Sequence, residues 1–328
     1  GTMKTIQFPR AGLTASCIAY GCMQIGGTWD STPLTAEARA AGLRAVHAAL
    51  DEGIDFFDHA DIYCRGKSEQ VFAGLWRESP HLRQSLILQS KCGIRFRGDP
   101  NPESPVRYDF SAGHILESVE NILRRLETDW LDILLLHRPD PLIEPEEVAR
   151  AFDELHQSGK VRHFGVSNFT AAQIEYLQRA LDQPLVTNQV ELNLLHNMLI
   201  NAGVVFNQVN PPDEMRTEGT LDYCRMHGIT LQAWSPLARG LLSRPPDPDA
   251  DARVKSGALE VARVAEQKGV LPEAILIAWL LRHPAGIQPV IGTTNPARIQ
   301  AACQGAGVEL DREEWYRLFT AGRGAPVP

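Results

Sequence analysis

No Cys-x-x-Cys pair occurs in this chain; its six cysteines stand apart at positions 17, 22, 64, 92, 224 and 303. That scatter fits reduced thiols in a cytosolic protein better than a disulfide frame or a zinc site. Long apolar runs are missing too. The longest, Ala274 to Leu281, is followed by Arg282 and falls far short of the ~20 residues of a membrane-spanning helix. There is no basic block, and 40 acidic against 32 basic residues leave a net charge of −8. Nucleic acid and anionic membranes are therefore not expected as partners. No signal-peptide-like apolar stretch follows Met3, so a cytoplasmic location is expected, and Gly1-Thr2 ahead of Met3 reads as a cloning scar. A Gly-x-Gly-x-x-Gly after an early strand is also absent, so no Rossmann site is indicated.

What is present is an ordinary globular composition, 44% hydrophobic and 22% charged, carrying a repeated alternation of short apolar runs and helical patterns. The 328 residues exceed the usual size of one domain, but barrels of alternating strand and helix reach this length as a single unit, and one domain over 1–328 is expected. Pro9-Arg-Ala-Gly12 between Thr5–Phe8 and Leu13–Cys17 signals an opening hairpin within residues 3–17. Ile18–Gly21 then reads as a strand. Thr35–Gly53 reads as a helix with Leu43, Val46 and Leu50 on one face and Gly53 as its stop. Further strands are expected at Phe56–Asp58, Leu86–Ser90, Asp132–Leu136, Val161–Val166, Leu185–Val190, Thr230–Trp234 and Ile287–Ile291. Helices fall between them, at Ser68–Trp76, Ile115–Leu126, Glu146–Gln157, Ala171–Leu181, Leu221–His227, Ala258–Gln267 and Pro272–Arg282. Such alternation predicts an α/β fold with a closed parallel sheet, the (β/α)₈ or TIM barrel. Two connections are long. Leu194 to Glu218 carries Asn197, Asn201, Asn207, Asn210 and Pro211-Pro212 just after Asn193, and reads as too polar for core; Leu242 to Gly257 holds Pro245-Pro246-Asp-Pro248. Both are expected over the mouth at the C-terminal face.

Ionisable residues close several of these strands. In Asp55 to Glu69 the apolar pair Phe56-Phe57 runs straight into Asp58, and Tyr63 follows five residues on; Leu86 to Ser90 ends against Lys91, and Leu131 to Leu136 against His137. A barrel gathers its strand C-termini on one face, so Asp58, Tyr63, Lys91 and His137 are expected to meet in one cavity. Taken singly, each has a plainer reading: Asp58 as a turn former, Asp58–Lys91 as a structural ion pair, Tyr63 as a packed ring and His137 as a satisfied strand-end histidine.

Together, Asp58-x-Ala-x-x-Tyr63 with Glu69 following, the strand-end Lys91, Leu-Leu-His137 and the run Ser158-Gly-Lys-Val-Arg-His-Phe-Gly-Val-Ser-Asn-Phe169 resemble the aldo-keto reductase family, in the family's order from about Ile18 to about Leu318. The resemblance implies a hairpin closing the barrel bottom and reduction of aldehydes or ketones to alcohols by hydride from NADPH, with NADH the lesser candidate. It implies Tyr63 as proton donor and His137 orienting the carbonyl oxygen of a small-molecule substrate. Lys91 would lower the Tyr63 pKa and Asp58 would hold Lys91 in place.

No side chain donates hydride, so a cofactor is required. The resemblance puts Ser167, Asn168 and Gln189 on the nicotinamide carboxamide, Trp234 on its ring, and Ser235, Leu237 and Gly240 along the pyrophosphate. In Val290-Ile-Gly292-Thr293-Thr294-Asn-Pro-Ala-Arg298 a helix start follows hydroxyl residues, and its free N–H groups, with Thr293, Thr294 and Arg298, suit a 2′-phosphate. The first long connection is expected as a partial substrate wall and the second as a cofactor strap. Met23, Gln24, Trp29, Phe96 and Arg138 are the candidate substrate residues. The chain departs from the family where Gly292 replaces a lysine, Ala301 and Ala302 replace the acid and amide near the adenine, and Cys64 replaces a glycine, either as a redox-sensitive thiol or as a small buried residue. Two other readings stand beside the reductase: a cofactor-binding regulatory or redox-sensing subunit of the same fold, and a Schiff-base aldolase-type barrel using Lys91. A metal hydrolase built on His59 and Asp61 lacks a third ligand.

Overall fold

The computed structural model describes residues 3–209 and 217–328; Gly1, Thr2, Asn210, Pro211 and Pro212, to which the sequence reading gave roles, lie outside the described residues. Strands β1 (Thr5–Phe8) and β2 (Leu13–Ser16) pair antiparallel, Thr5 opposite Ser16, around a turn in which Gly12 has φ +63°. The chain then runs through β3 (Ala19–Gly21), α1 (Ala36–Asp51), β4 (Phe56–Asp58), α2 (Lys67–Glu78) and β5 (Ile87–Cys92). A small ribbon of β6 (Ile94–Arg95) and β7 (Arg107–Tyr108) precedes α3 (Ala112–Leu126), β8 (Leu131–Leu136), α4 (Pro145–Gln157) and β9 (Val161–Ser167). Then come α5 (Ala171–Gln178), β10 (Leu185–Glu191), α6 (Met198–Val205), α7 (Thr220–Met226) and β11 (Thr230–Trp234). Helices α8 (Ala252–Lys268) and α9 (Pro272–Arg282), strand β12 (Gln288–Ile291), and helices α10 (Pro296–Cys303) and α11 (Arg312–Arg323) complete the fold. Eight strands close a parallel barrel in the order β3-β4-β5-β8-β9-β10-β11-β12, with β12 returning to β3.

Strand β8 illustrates why these residues build a barrel. Leu131-Asp-Ile-Leu-Leu-Leu136 is buried throughout, as a strand covered on both faces must be. Ile133 and Leu135 point into the barrel, while Leu134 and Leu136 pack outward against the helical layer. Each such leucine or isoleucine contributes about 1.5–3 kcal/mol by leaving water. Asp132, on the outward face, is satisfied by Arg83 at 3.1 Å and the Leu88 amide at 2.9 Å. The hairpin plugs the opposite end of the barrel: Phe8 and Ala15 pack with Ala19, Phe56, Ile133 and Val290, and Phe8 stacks on Phe56 at 5.5 Å. Helix starts follow local capping. Thr35 accepts from the Ala38 amide and Ser111 from that of His114.

The connection from Leu194 is not uniformly polar loop. It forms α6, and Asn193, Asn197 and Asn201 are buried with Leu194 and Val205, while Asn207 is exposed. Asn193 can be buried because its Oδ1 accepts from the Leu195 and His196 amides and its Nδ2 donates to the Ser235 carbonyl. Helix α8 begins six residues before the expected Ala258, because Asp251 caps it by accepting from the Arg253 amide, which shortens the second connection. Helix α11, with an Asp311–Glu314 capping box and Trp315 stacked on Trp279 at 5.1 Å, was not anticipated. No helix among the described residues is long and apolar enough to cross a membrane.

Candidate active site

Asp58 ends β4, Lys91 is the penultimate residue of β5, and His137 directly follows β8, with its backbone amide bonded to the Cys92 carbonyl at 2.9 Å. Tyr63 enters from the turn after β4, where Cys64 and Arg65 take left-handed φ values of 49° and 55°. Parallel register sets these strand ends side by side. The Lys91 ammonium donates to Asp58 Oδ2 at 2.8 Å, to the His59 carbonyl at 3.1 Å and to Tyr63 Oη at 2.8 Å. An ammonium has only three N–H groups, so all are used, and the phenol O–H must turn away from Lys91. Tyr63 and His137 both line the cavity. Rings Tyr63 and His137 meet edge to face, centroids 6.3 Å apart at 86°, and Trp29 meets Tyr63 in the same way at 6.3 Å.

The electrostatics depart from the expectation for Tyr63. Burial pushes the phenol up to about 12; Lys91 opposes this without overcoming it, and Asp58 adds to the rise. At neutral pH the group is therefore fully protonated. Burial works against the Lys91 charge, but Asp58 and Tyr63 outweigh it and hold its pKa above the ordinary value. His137 is kept well below its ordinary value by burial, then by Lys91 and Arg138, so the imidazole is neutral. Its Nδ1 is buried without a partner.

A cavity of about 730 Å³ opens over these groups. Of the candidate substrate residues Met23, Gln24, Trp29 and Arg138 line it, together with Ser167, Asn168, Gln189, Trp234, Ser235, Leu237, Gly240, Gly292, Thr293 and Arg298. Phe96 and Thr294 do not line it; the Phe96 ring lies beneath the Arg65 guanidinium at 4.3 Å, and Thr294 is exposed. Arg239, Arg244 and Glu273 also line it and are not among the sequence candidates; the two arginines lie in the strap after β11, whose folded path sets this wall, and Glu273 lies in the first turn of α9. Asn168 sits at φ +62°, its Nδ2 donating to the His137 carbonyl and its Oδ1 accepting from Trp234 Nε1 at 3.0 Å. The Met23–Trp29 loop is tied down from α2: Lys67 donates to Thr28 Oγ1, the Asp30 carbonyl and the Thr32 carbonyl. Gly26 is required there, because a Cβ would lie 2.6 Å from both Cys64 Cβ and the Ser68 amide.

The aldo/keto reductase family model matches residues 17–321. The chain belongs to the aldo/keto reductase family. It is 42% identical to the uncharacterized oxidoreductase YcsN of Bacillus subtilis, over 87% of this chain and 89% of that one. It is 38% identical to a 6-dehydroglucose reductase of Agrobacterium fabrum, over 96% and 97%. Among solved structures, the glycerol dehydrogenase AKR11B4 of Gluconobacter oxydans superposes with a TM-score of 0.81 at 27% identity, covering 99% of this chain and 97% of that one. The protein is thus a (β/α)₈-barrel oxidoreductase of a family that binds nicotinamide cofactors.

The walls of the cavity fit such a cofactor in their charge. Arg239, Arg244 and Arg298 line it against two carboxylates, Glu273 and the Asp58 already paired with Lys91, and none of the three arginines has an ion pair among the described residues. A surplus of unpaired guanidinium groups suits phosphates. One detail differs from expectation at α10. Asn295 Oδ1 already accepts from the Ala297 and Arg298 amides at 2.9 and 3.3 Å, and Pro296 has no N–H, so the first turn of α10 has fewer free amides than expected. Gln189 also differs. Its Nε2 donates to Asp58 Oδ1 at 3.2 Å and Gln232 Oε1 at 3.1 Å, so it points inward and would have to exchange these bonds to reach a carboxamide. Cys64 is buried, its thiol donating to the Met23 carbonyl at 3.3 Å. No three His, Cys, Asp or Glu side chains gather as a metal site among the described residues, and His59 is buried against Phe72 at 4.6 Å.

Proposed function

We propose that this chain reduces aldehydes or ketones to alcohols with NADPH, using Tyr63 as the proton donor. The observation that carries the reading is the saturated Lys91 ammonium, which leaves the Tyr63 O–H directed at the cavity. A bound nicotinamide dinucleotide supplies the hydride. The carbonyl oxygen is received between the Tyr63 hydroxyl and the neutral imidazole of His137, which as a single donor polarises it without competing for the proton. As the carbon is reduced, Tyr63 Oη gives its proton to the developing alkoxide. The phenolate that remains is stabilised by the Lys91 ammonium at 2.8 Å, whose own charge is balanced by Asp58. Trp234, held by Asn168, offers a ring wall for the nicotinamide.

Arg298 and Thr293, beside Arg239 and Arg244, support NADPH over NADH, since the additional phosphate is what a surplus of arginine recognises. Lys91 acting as a Schiff-base nucleophile is disfavoured, because its donors are all engaged and its pKa lies above the ordinary value. For the substrate, Arg138 has no ion pair among the described residues and lines the cavity with Gln24 and Trp29. Two relatives are named 6-dehydroglucose reductases. An oxygen-rich, sugar-like aldehyde is therefore the first substrate class to test. The experiment is a titration of tryptophan fluorescence with NADPH, using Trp234→Ala as control, followed by NADPH oxidation with hydroxylated and simple aldehydes. Quenching lost in the variant, with turnover of an aldehyde, supports the reading. Absence of quenching by either dinucleotide overturns it.

A further inference from the structure

The barrel interior above the apolar plug holds an unbroken chain of glutamine amides that ends on the Asp58 carboxylate. Gln89 of β5, Gln189 of β10, Gln232 of β11 and Gln288 of β12 are all buried. Gln288 Nε2 donates to the Ser16 carbonyl of the hairpin at 2.9 Å, and Gln288 Oε1 accepts from Gln232 Nε2 at 2.9 Å. Gln232 Oε1 accepts from Gln89 Nε2 at 2.9 Å and from Gln189 Nε2 at 3.1 Å. Both of these nitrogens also donate to Asp58 Oδ1, at 2.8 and 3.2 Å.

The two ends of the chain fix every amide orientation between them. A carboxylate only accepts, so Gln89 and Gln189 must present nitrogen to Asp58, and their remaining N–H groups point at the Gln232 oxygen. That turns the Gln232 nitrogen to Gln288, whose own nitrogen finds another acceptor, the Ser16 carbonyl. Ser16 is itself pinned, its amide donating to Asp55 Oδ1 at 2.7 Å. Gln232 and Gln288 therefore each donate towards the barrel floor, and the Gln89 and Gln189 nitrogens bridge the Gln232 oxygen and Asp58 Oδ1, so the network locks both amides in the orientation that faces the carboxylate. Barrel interiors are ordinarily filled by branched apolar side chains. Leucine or methionine at these positions would avoid the desolvation of four amides, including the Gln89 Oε1 that has no partner.

We propose that Gln89, backed by Gln232 and Gln288, is a positioning residue for proton transfer, holding Asp58 so that only Oδ2 is offered to Lys91. This inference rests on the reductase reading for its catalytic consequence. When Gln189 exchanges its inward bonds for a nicotinamide carboxamide, Gln89 becomes the amide that keeps Oδ1 occupied. Without Gln89, Oδ1 is less neutralised, Asp58 draws the ammonium more strongly, and the phenolate of Tyr63 is less well stabilised.

The test uses the full chain with fluorotyrosine incorporated throughout, the Tyr63 fluorine resonance being assigned by its loss in Tyr63→Phe. In Gln89→Met the resonance is expected to move and to titrate about one unit higher, a shift equivalent to about a tenfold change in equilibrium. Gln232→Met, which leaves every contact to Asp58 in place but frees both amides, is expected to move it in the same direction by less, and reads the chain if Gln89→Met does not fold. In steady-state reduction Gln89→Met should lower kcat with KM for NADPH unchanged and displace the pH profile. Tyr63 resonances and pH profiles that coincide with wild type in both variants would overturn the proposal. The fluorine titration needs neither cofactor nor substrate, so it stands even if no carbonyl is turned over, an outcome that would count against the reductase reading alone.

Discussion

Replacing Lys91 by methionine separates what the buried ion pair does for stability from what it does for chemistry. Lys91 and Asp58 are both about 1% exposed and bonded at 2.8 Å. Lys91→Met keeps most of the side-chain volume but leaves Asp58 charged in a low-dielectric site, supported only by Gln89 and Gln189. Breaking a buried pair in this way costs about 3–5 kcal/mol. In the double variant Asp58→Asn/Lys91→Met no buried charge is left unpaired, and an apolar replacement of a buried pair is often close to neutral. The double variant should therefore recover most of the lost stability, a coupling readable as a thermodynamic cycle from urea denaturation. Activity behaves differently. Both variants lack the cation beside Tyr63, and reduction should fall by about 10²–10⁴-fold in each, the range for a disabled general acid. A double variant as unstable as Lys91→Met, or one that regained turnover, would refute the reasoning.

The acid limb of stability should depend on His59, whose two ring nitrogens are buried without partners and whose pKa burial lowers to about 3 from an ordinary 6.5. The unfolded chain binds this proton and the folded one does not, so stability is full above about pH 6.5 and falls towards pH 3 by up to about 1.4 kcal/mol per unit. His59→Phe should flatten that limb in urea titrations at pH 7 and pH 4.5; an unchanged limb would contradict the assignment. Arg298→Met should raise KM for NADPH about tenfold or more while leaving NADH unchanged, as expected for one charge-assisted contact to the additional phosphate; equal effects on both would remove Arg298 from that role. Arg138→Met should raise KM for hydroxylated or anionic aldehydes and leave simple alkyl aldehydes alone, which competition kinetics would reveal.

The barrel and the tetrad were legible because both depend on short-range signals. Apolar runs such as Leu131 to Leu136 announce buried strands, and the fold itself then carries Asp58, Lys91 and His137 to one face. Features that depend on partners distant in sequence were not legible. Asn193 looks like loop polarity until its amide is seen bonded to the backbone around Ser235, 42 residues on. The Tyr63 pKa was misjudged because a nearby cation can be read from the sequence, whereas the depth of burial that outweighs it cannot. Arg239 and Arg244 sit in a connection whose path over the cavity no periodicity describes. The glutamine chain is the clearest case. Gln89, Gln232 and Gln288 are each a polar interruption in an apolar strand, and only barrel closure brings Gln89 and Gln232, 143 residues apart, within 2.9 Å.

If Tyr63 delivers the proton while the rest of the cavity binds and orients, Tyr63→Phe separates the two. NADPH binding and aldehyde reduction are measured side by side in the wild type and this variant. Tryptophan quenching by NADPH is expected at wild-type affinity, together with a loss of kcat of about 10²–10⁴-fold. Reduction at the wild-type rate in Tyr63→Phe, with cofactor binding intact, would contradict Tyr63 as the proton donor.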